Sequence, residues 1–248
     1  MLTKSLFILG LTVIRSSIAV PLSKVPSFTI PGGLSNGLYK AYYNAAGEEV
    51  HELVTAEDYN STSLPATPAE YESSAKRHEV VKRWDSYYIW CGCGFNMNAG
   101  DTNVANACLA NWAASSPVLG GDVAQYCIQN TAIAFAVNYF SEAVTIPSNL
   151  VSNNSPDISY DCGNFVAGTS ALNGFVHLDY GYMNYYSGIN LGTAPQAGSA
   201  SVCPGTAGAE GICVSCINSC NADCYAYAYS DLGMALCEAE CRDQCTTC

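Results

Sequence analysis

The chain has 248 residues, with 21 acidic against 9 basic side chains and a formal net charge of −12 at pH 7. A protein this acidic is repelled by phosphate backbones and anionic lipid surfaces, so we expect no nucleic-acid partner. Fourteen cysteines predict disulfide bonds in an exported protein, because such bonds rarely persist in the cytosol.

The first residues have the layout of an export signal. A short basic start ending at Lys4 precedes an apolar run over 5–14, and Ser17-Ile18-Ala19 is a small-x-small cleavage site. The alternative is a buried N-terminal helix. We predict a signal peptide over 1–19, cut after Ala19, and a secreted, extracellular protein. Other apolar stretches are too short for a membrane span.

Residues 20–83 have the features of a propeptide. They contain no cysteine and close on two dibasic pairs, Lys76-Arg77 and Lys82-Arg83. Exposed pairs of this kind are cut by kexin-type proteases, which are therefore an expected processing partner. Lys-Arg pairs also occur by chance on exposed helices, which is the alternative.

A hairpin is predicted inside this propeptide, with strands over Leu38–Tyr43 and Glu49–Val54. The hairpin either assists folding or masks the mature surface. Asn60 opens a glycosylation sequon. From Trp84 onward the chain has thirteen acidic side chains and a single basic one, Arg242, so the mature part carries the negative charge.

Residues 84–191 predict an α+β domain, a small antiparallel sheet with helices packed on one face. Its strands and helices alternate in the order β-α-β-β-α-β-β. The predicted elements are a strand over Tyr87–Phe95, a helix capped by Asp101 and running to Ala114, strands over Val123–Ile128 and Ala132–Tyr139, a short helix from Pro147, and strands over Cys162–Val166 and Phe175–Tyr185.

Little chemistry is visible in this domain. His177 and Asp179 share a strand face, so a carboxylate could orient the imidazole for acid–base catalysis, although such a pair is usually structural. A carboxylate pair for glycoside hydrolysis has the candidates Asp122, Asp157, Asp161 and Asp179, with nothing to select two of them. No cofactor is expected.

Two further features of the domain are surface candidates. Tyr180, Tyr182, Tyr185 and Tyr186 form either a contact surface for carbohydrate or protein, or a buried sheet face. Asn153 opens a second glycosylation sequon.

The cysteines of residues 213–248 are arranged as a mirror. Their spacing reads 3, 4, 4, 13, 4, 4, 3, and steps of three and four return to one helix face. A cysteine-rich helical hairpin follows, joined to the domain by a Gly/Ala/Pro-rich linker over 192–212. Its predicted bridges are Cys213–Cys248, Cys216–Cys245, Cys220–Cys241 and Cys224–Cys237.

Two observations oppose or complicate this prediction. Tyr225, Tyr227 and Tyr229 alternate as in a strand. The Cys-x2-Cys pairs at each end of the hairpin also have zinc-ligand spacing, but export favours disulfides.

Cysteine parity links the tail to the domain. Cys203 is left over from the mirror, so it should pair with one of the five domain cysteines. Cys91 or Cys93 is preferred, because cysteines two apart on a strand point to opposite faces and cannot share a partner. The five domain cysteines are Cys91, Cys93, Cys108, Cys127 and Cys162.

The layout as a whole resembles kexin-processed secreted fungal effectors and killer-toxin-like proteins. It has a signal peptide, a cysteine-free propeptide ending in Lys82-Arg83, and a cysteine-rich mature part opening with Trp90-Cys91-Gly92-Cys93-Gly94. The resemblance implies an extracellular virulence or antagonism factor. The tail is similar in spacing to the paired Cys-x-x-x-Cys helices of plant α-hairpinins, but has four cysteines per helix and almost no basic residues.

Three functions follow as hypotheses. The first is a non-enzymatic effector or toxin that binds an extracellular protein or carbohydrate of a host or competitor. The second is a secreted hydrolase that uses His177 with Asp179 or a carboxylate pair. The third is a structural cell-wall protein.

Overall fold

A computed structural model describes residues 27–55, 86–115, 117–172, 178–192 and 194–224, together with 237, 240, 241 and 244–246. The strands are β1 Thr29–Ile30, β2 Gly37–Tyr43, β3 Glu49–Leu53, β4 Ser86–Asn96, β5 Val118–Leu119, β6 Val123–Gln129, β7 Ala132–Asn138, β8 Val144–Thr145, β9 Val166–Leu172, β10 Leu178–Asn184 and β11 Ile189–Asn190. The helices are α1 Ala99–Ala114, α2 Leu150–Cys162 and α3 Val214–Cys224, with 3₁₀ turns at Pro195–Ala197 and Ala207–Ala209.

The protein is α+β, with one main antiparallel sheet and a disulfide-rich helical tail. Seven of the described strands form this sheet in the order β3-β2-β6-β7-β10-β9-β4. Both α1 and α2 pack on one face. Tyr180 of β10 donates to Asn106 of α1, and Tyr182 lies 3.4 Å from the hydroxyl of Ser159 of α2.

The centre of the sheet is built from small and aromatic apolar residues. All seven residues of β7 are buried. The turn from β6 to β7 places Asn130 in the left-handed region, at φ 45°, which Asn tolerates better than most residues. The two strands predicted over Val123–Ile128 and Ala132–Tyr139 are therefore present, and this turn joins them as an antiparallel pair.

The cap of α1 differs from the prediction. Asn98, and not Asp101, is the N-cap, and its side-chain oxygen accepts from the Asp101 amide. Asp101 lies in the first turn, where its carboxylate accepts hydrogen bonds from Thr131 and Asn130. These bonds, that from the Thr131 hydroxyl first, hold the pKa of Asp101 below its usual range. The residue therefore ties the helix start to the β6–β7 turn.

The predicted strand over 162–166 is wrong. Cys162 is the last residue of α2, which runs on through Pro156, and the next strand begins only at Val166. A proline inside a helix removes one hydrogen bond. The buried side chains of Leu150, Val151 and Ile158 supply packing that local propensity does not register. The last strand, predicted from Phe175, begins at Leu178, and 173–177 lie outside the described residues.

The hairpin predicted in residues 20–83 is present and joins the main sheet. β2 pairs with β3 around the turn and with β6 on its other side, while β1 pairs with β11. Strands from both sides of residue 83 therefore share one sheet and one core. The segment 192–212 also packs closely in its described part, since Val202 and Cys203 are buried and Ala200 bridges to Cys91.

The tail is helical where the structure describes it. After α3, the residues Cys237, Glu240, Cys241 and Gln244 are helical, and the tyrosine alternation over 225–229 lies outside the described residues. Among the helices of the described ranges, none combines the length and the hydropathy that a membrane crossing requires.

Candidate functional site

Three disulfide bonds fasten the helices and the tail to the sheet. Cys108 of α1 is bonded to Cys127 of β6, and Cys91 of β4 to the last residue of α2, Cys162. Cys93 is bonded to Cys203, with Cα atoms 5.6 Å apart. Cys203 thus pairs with one of the two cysteines that parity favours, and the other pairs with α2.

The tail contains the inner bridges of the mirror. Its described bonds are Cys216–Cys245, Cys220–Cys241 and Cys224–Cys237, with Cα separations of 5.5 to 5.7 Å. Cys213 is also disulfide-bonded, and Cys248, its predicted partner, lies outside the described residues. These consecutive disulfide bonds, called rungs below, therefore join the cysteine-bearing faces of two helical segments.

Zinc ligation by these cysteines is not what the structure shows. The sulfurs of Cys224, Cys237 and Cys241 lie within 4.8 Å of one another, but each belongs to a disulfide bond. Cys216 and Cys245, from the two Cys-x2-Cys pairs, are bonded to each other. Metal binding by cysteine needs thiolates, and these sulfurs are oxidised.

The predicted His177–Asp179 pair is described only in part, because His177 lies outside the described residues. Asp179 is partly exposed and lies between Val137 of β7 and Ala171 of β9. Desolvation of the carboxyl group by the surrounding protein raises its pKa to about 7. Its carboxyl group therefore holds its proton to a higher pH than an ordinary aspartate does.

The two carboxylate candidates of α2 lie on the other side of the sheet from Asp179. Tyr180 and Tyr182 face α1 and α2, so Asp179, one residue before Tyr180 on the same strand, faces the opposite side of the sheet. Asp157 and Asp161 belong to α2, on the helix side. Asp122 lies in the turn before β6, with φ at 53°. The sheet thus separates the acids of α2 from Asp179.

The tyrosine run divides between core and surface. Tyr180 and Tyr182 are buried, as the core interpretation expects, and the Tyr185 hydroxyl donates to the Pro31 carbonyl. Tyr186 is 49% exposed. Only the end of the run is therefore available for contact.

A hydrogen-bonded chain of three ionisable side chains, which the sequence did not reveal, lies on the sheet face opposite the helices. His51 Nε2 lies 2.8 Å from Glu49 Oε1, and His51 Nδ1 lies 2.8 Å from the Tyr126 hydroxyl. Tyr126 stacks on Tyr39 with ring centroids 5.4 Å apart. Burial raises the pKa of Tyr126, so its phenol stays protonated at physiological pH.

Register explains how these side chains meet. Tyr126 is paired with Tyr39 on β2, and His51 on β3 is paired with Ala41 of β2. Ala41 carries only a methyl group toward this face, which leaves room for the imidazole to reach across β2 to the phenol. The Glu49-x-His51 spacing on one strand face was visible in the sequence, but Tyr126 becomes a neighbour only through β2–β6 pairing.

The chain of Glu49, His51 and Tyr126 acts as a structural link. Tyr126 is fully buried and the His51 side chain is 8% exposed, so neither group is open to a substrate. Both ring nitrogens of His51 have partners, as buried polar groups require. The link connects β3, from the predicted propeptide, to β6, from the predicted mature part.

Of the predicted processing and glycosylation residues, only Asn153 lies within the described residues. Asn153 is partly exposed, near the start of α2. The remaining candidates, Ala19, Asn60, Lys76, Arg77, Lys82 and Arg83, lie outside the described residues.

Comparisons with protein-family models, with curated proteins and with solved structures found no match to this chain. The abundance of disulfide bonds is compatible with a secreted disulfide-rich protein.

Proposed function

We propose that the protein is a secreted, disulfide-stabilised effector or toxin-like factor that binds an extracellular protein or carbohydrate of a host or competitor. In this proposal a kexin-type protease matures it at the dibasic pairs, and it acts by binding rather than by catalysis. The observation that carries the proposal is that no cysteine of the described residues is free, from the edge strand to the tail. Such cross-linking suits a small protein that must persist among extracellular proteases.

Surface chemistry narrows the class of partner. A formal charge of −12 disfavours polyanions, so the partner is neutral or cationic at its contact face. Several large aromatic side chains are exposed and offer contact area at low entropic cost, among them Phe95, Tyr160 and Tyr186, which are 42 to 49% exposed.

The proposal is tested with the labelled secreted protein on candidate host or competitor cells. We expect saturable surface binding that unlabelled native protein competes away and that reduced, alkylated protein does not. Biological activity should follow occupancy and should persist in the variants His177→Ala and Asp179→Asn. Protein that stays in the producer's own cell wall would support the structural alternative instead.

A secreted hydrolase is the second candidate, because the raised pKa of Asp179 places it near the range of a general base at neutral pH. This candidate predicts turnover of a substrate by catalytic amounts of protein. It also predicts that Asp179→Asn abolishes turnover while the fold persists, as checked by circular dichroism.

A further inference from the structure

We propose that residues 20–83 remain bound to residues 84–248 after cleavage, so that the mature protein is a two-chain assembly and not a domain freed of its propeptide. The inference rests on the maturation step of the proposed function. It assigns residues 20–83 as the segment that covers β6, which would otherwise be an exposed edge of the sheet. Contacts of the front segment, residues 27–55, carry it.

The front segment supplies part of the core. Phe28, Ile30 and Ala41 are fully buried, and Leu38 and Tyr39 are each 5% exposed. Burial of one such large apolar side chain stabilises by about 1.5–3 kcal/mol. Loss of the segment would expose these side chains and the surfaces that they cover.

The front segment also completes the sheet. β2 pairs with β6 in continuous register from Gly37↔Ile128 to Tyr42↔Val123. Without β2, the buried strand β6 would become an unprotected edge with unpaired amides and carbonyls. β1 adds a second contact, through its pairing with β11.

Side-chain hydrogen bonds cross the same interface. His51 contacts the buried Tyr126 hydroxyl, and the amide of Leu34 donates to the Tyr185 hydroxyl at 3.1 Å. Asn36 accepts from the Asn130 amide at 2.7 Å. Departure of the front segment would break these bonds and expose the Tyr126 ring, which is fully buried, to water.

Cleavage at the dibasic pairs leaves these contacts intact. Both pairs lie in the connection from β3 to β4, the two opposite edges of the main sheet, so a cut there divides none of the described strands. Residues 20–83 contain no cysteine, so the two chains would be held together by non-covalent contacts alone. The assembly should therefore separate under denaturing conditions without a reductant.

Mass spectrometry of the secreted protein tests this. Under denaturing, non-reducing conditions we expect two polypeptides that divide at Arg77 or Arg83, and under native conditions one species with their summed mass. Residues 84–248 alone under native conditions would overturn retention while leaving maturation and target binding untouched. A single uncut chain under denaturing conditions would overturn both retention and the maturation step.

The variant His51→Ala tests whether the two chains associate through the contacts described above. Because His51 binds across the cut interface, His51→Ala should dissociate at a protein concentration at least about tenfold higher than wild type after cleavage, equivalent to about 1.4 kcal/mol. The matched control Glu52→Ala changes the same strand at a side chain that bonds to Tyr42, within the front segment. The control should dissociate like wild type, and equal dissociation of all three proteins would contradict the assigned interface.

Discussion

At the scale of single residues, the main finding is that hydrogen-bond partners come from distant parts of the chain. His51 and Tyr126 are separated by 75 positions and meet through the register of three strands. Asp179 was selected by its proximity in sequence to His177, but its cross-strand partners are Val137 and Ala171 on the neighbouring strands. Substitutions of Tyr126 and of Asp179 therefore test how the folded surroundings of each side chain affect stability.

Removal of the Tyr126 hydroxyl should destabilise the fold. Tyr126→Phe leaves a buried imidazole nitrogen without its partner, which costs about 1–3 kcal/mol. Tyr39→Phe is the matched control, because its ring stacks on Tyr126 while its hydroxyl bonds to the exposed Ser35, which water can satisfy. Urea unfolding should show the larger loss for Tyr126→Phe, and equal losses would argue against the link.

Replacement of Asp179 should change how stability depends on pH. The folded-state pKa, about 7, lies above the ordinary value of 3.8, so the folded state holds the proton more tightly than the unfolded state. Ionisation therefore destabilises the wild type as pH rises from about 4 to 7, by at most about 1.4 kcal/mol per pH unit. Asp179→Asn cannot ionise and should escape this loss.

Thermal unfolding at pH 4 and pH 8 measures the effect. Asp179→Asn should gain stability relative to wild type at pH 8 and lose that advantage at pH 4. An advantage of the same size at both pH values would show that the carboxyl group does not titrate in this range.

At the scale of elements, the tail and the sheet use disulfides differently. In the tail, each rung has neighbours that hold the same two helical stripes. The Cys93–Cys203 bond spans 110 residues and fastens the segment before the tail to an edge strand of the sheet. A disulfide bond that closes a longer loop removes more entropy from the unfolded chain, so the two kinds of bond should stabilise the fold by different amounts.

Loss of Cys93–Cys203 should cost more than loss of a middle rung. The double change Cys93→Ser, Cys203→Ser opens a long loop and should cost about 4 kcal/mol, while Cys220→Ser, Cys241→Ser should cost about 2 kcal/mol, because flanking rungs keep the remaining loop short. Differential scanning calorimetry of both variants provides the comparison. If the loss of Cys220–Cys241 cost as much stability as the loss of Cys93–Cys203, the flanking bonds would not be keeping the remaining loop short.

At the scale of the whole molecule, the sheet unites segments that composition separates. The change from a cysteine-free to a cysteine-dense composition at residue 83 predicts two parts of different fate. The structure places both parts in a sheet whose order runs from β3 at one edge to β4 at the other. The distribution of cysteines along the chain predicts where disulfide bonds form, whereas the order of strands in the sheet shows which segments share a core.

A chain that lacks the front segment should not be exported efficiently as a folded protein. Deletion of residues 20–55 with the signal retained exposes β6 as an edge and removes five buried apolar residues, so secretion should fall at least about tenfold and the product should bind ANS. Supply of residues 20–83 in trans should restore secretion, since its contacts are non-covalent. Secretion of the deletion variant at the wild-type level would contradict an integral role for the segment.

The sequence determined those features whose physics is local. Short strand-forming runs on either side of turn residues predicted β2, β3, β6 and β7. The steps of three and four between cysteines predicted disulfide bonds that the tail contains. Local patterns gave the wrong cap for α1, because the Asp101 carboxylate bonds instead to Asn130 and Thr131. They also placed Cys162 in a strand, because packing carries α2 past Pro156 to that residue.

Tertiary structure alone decided which strands that are distant in sequence are neighbours. Pairing of β2 with β6 joins residues more than 80 positions apart, and no local period encodes a contact between such distant strands. That pairing places His51 beside Tyr126 and makes the front segment part of the core. The physical reason is that the edges of strands carry the same backbone groups everywhere, so the choice of partner depends on how all the apolar faces can be buried together.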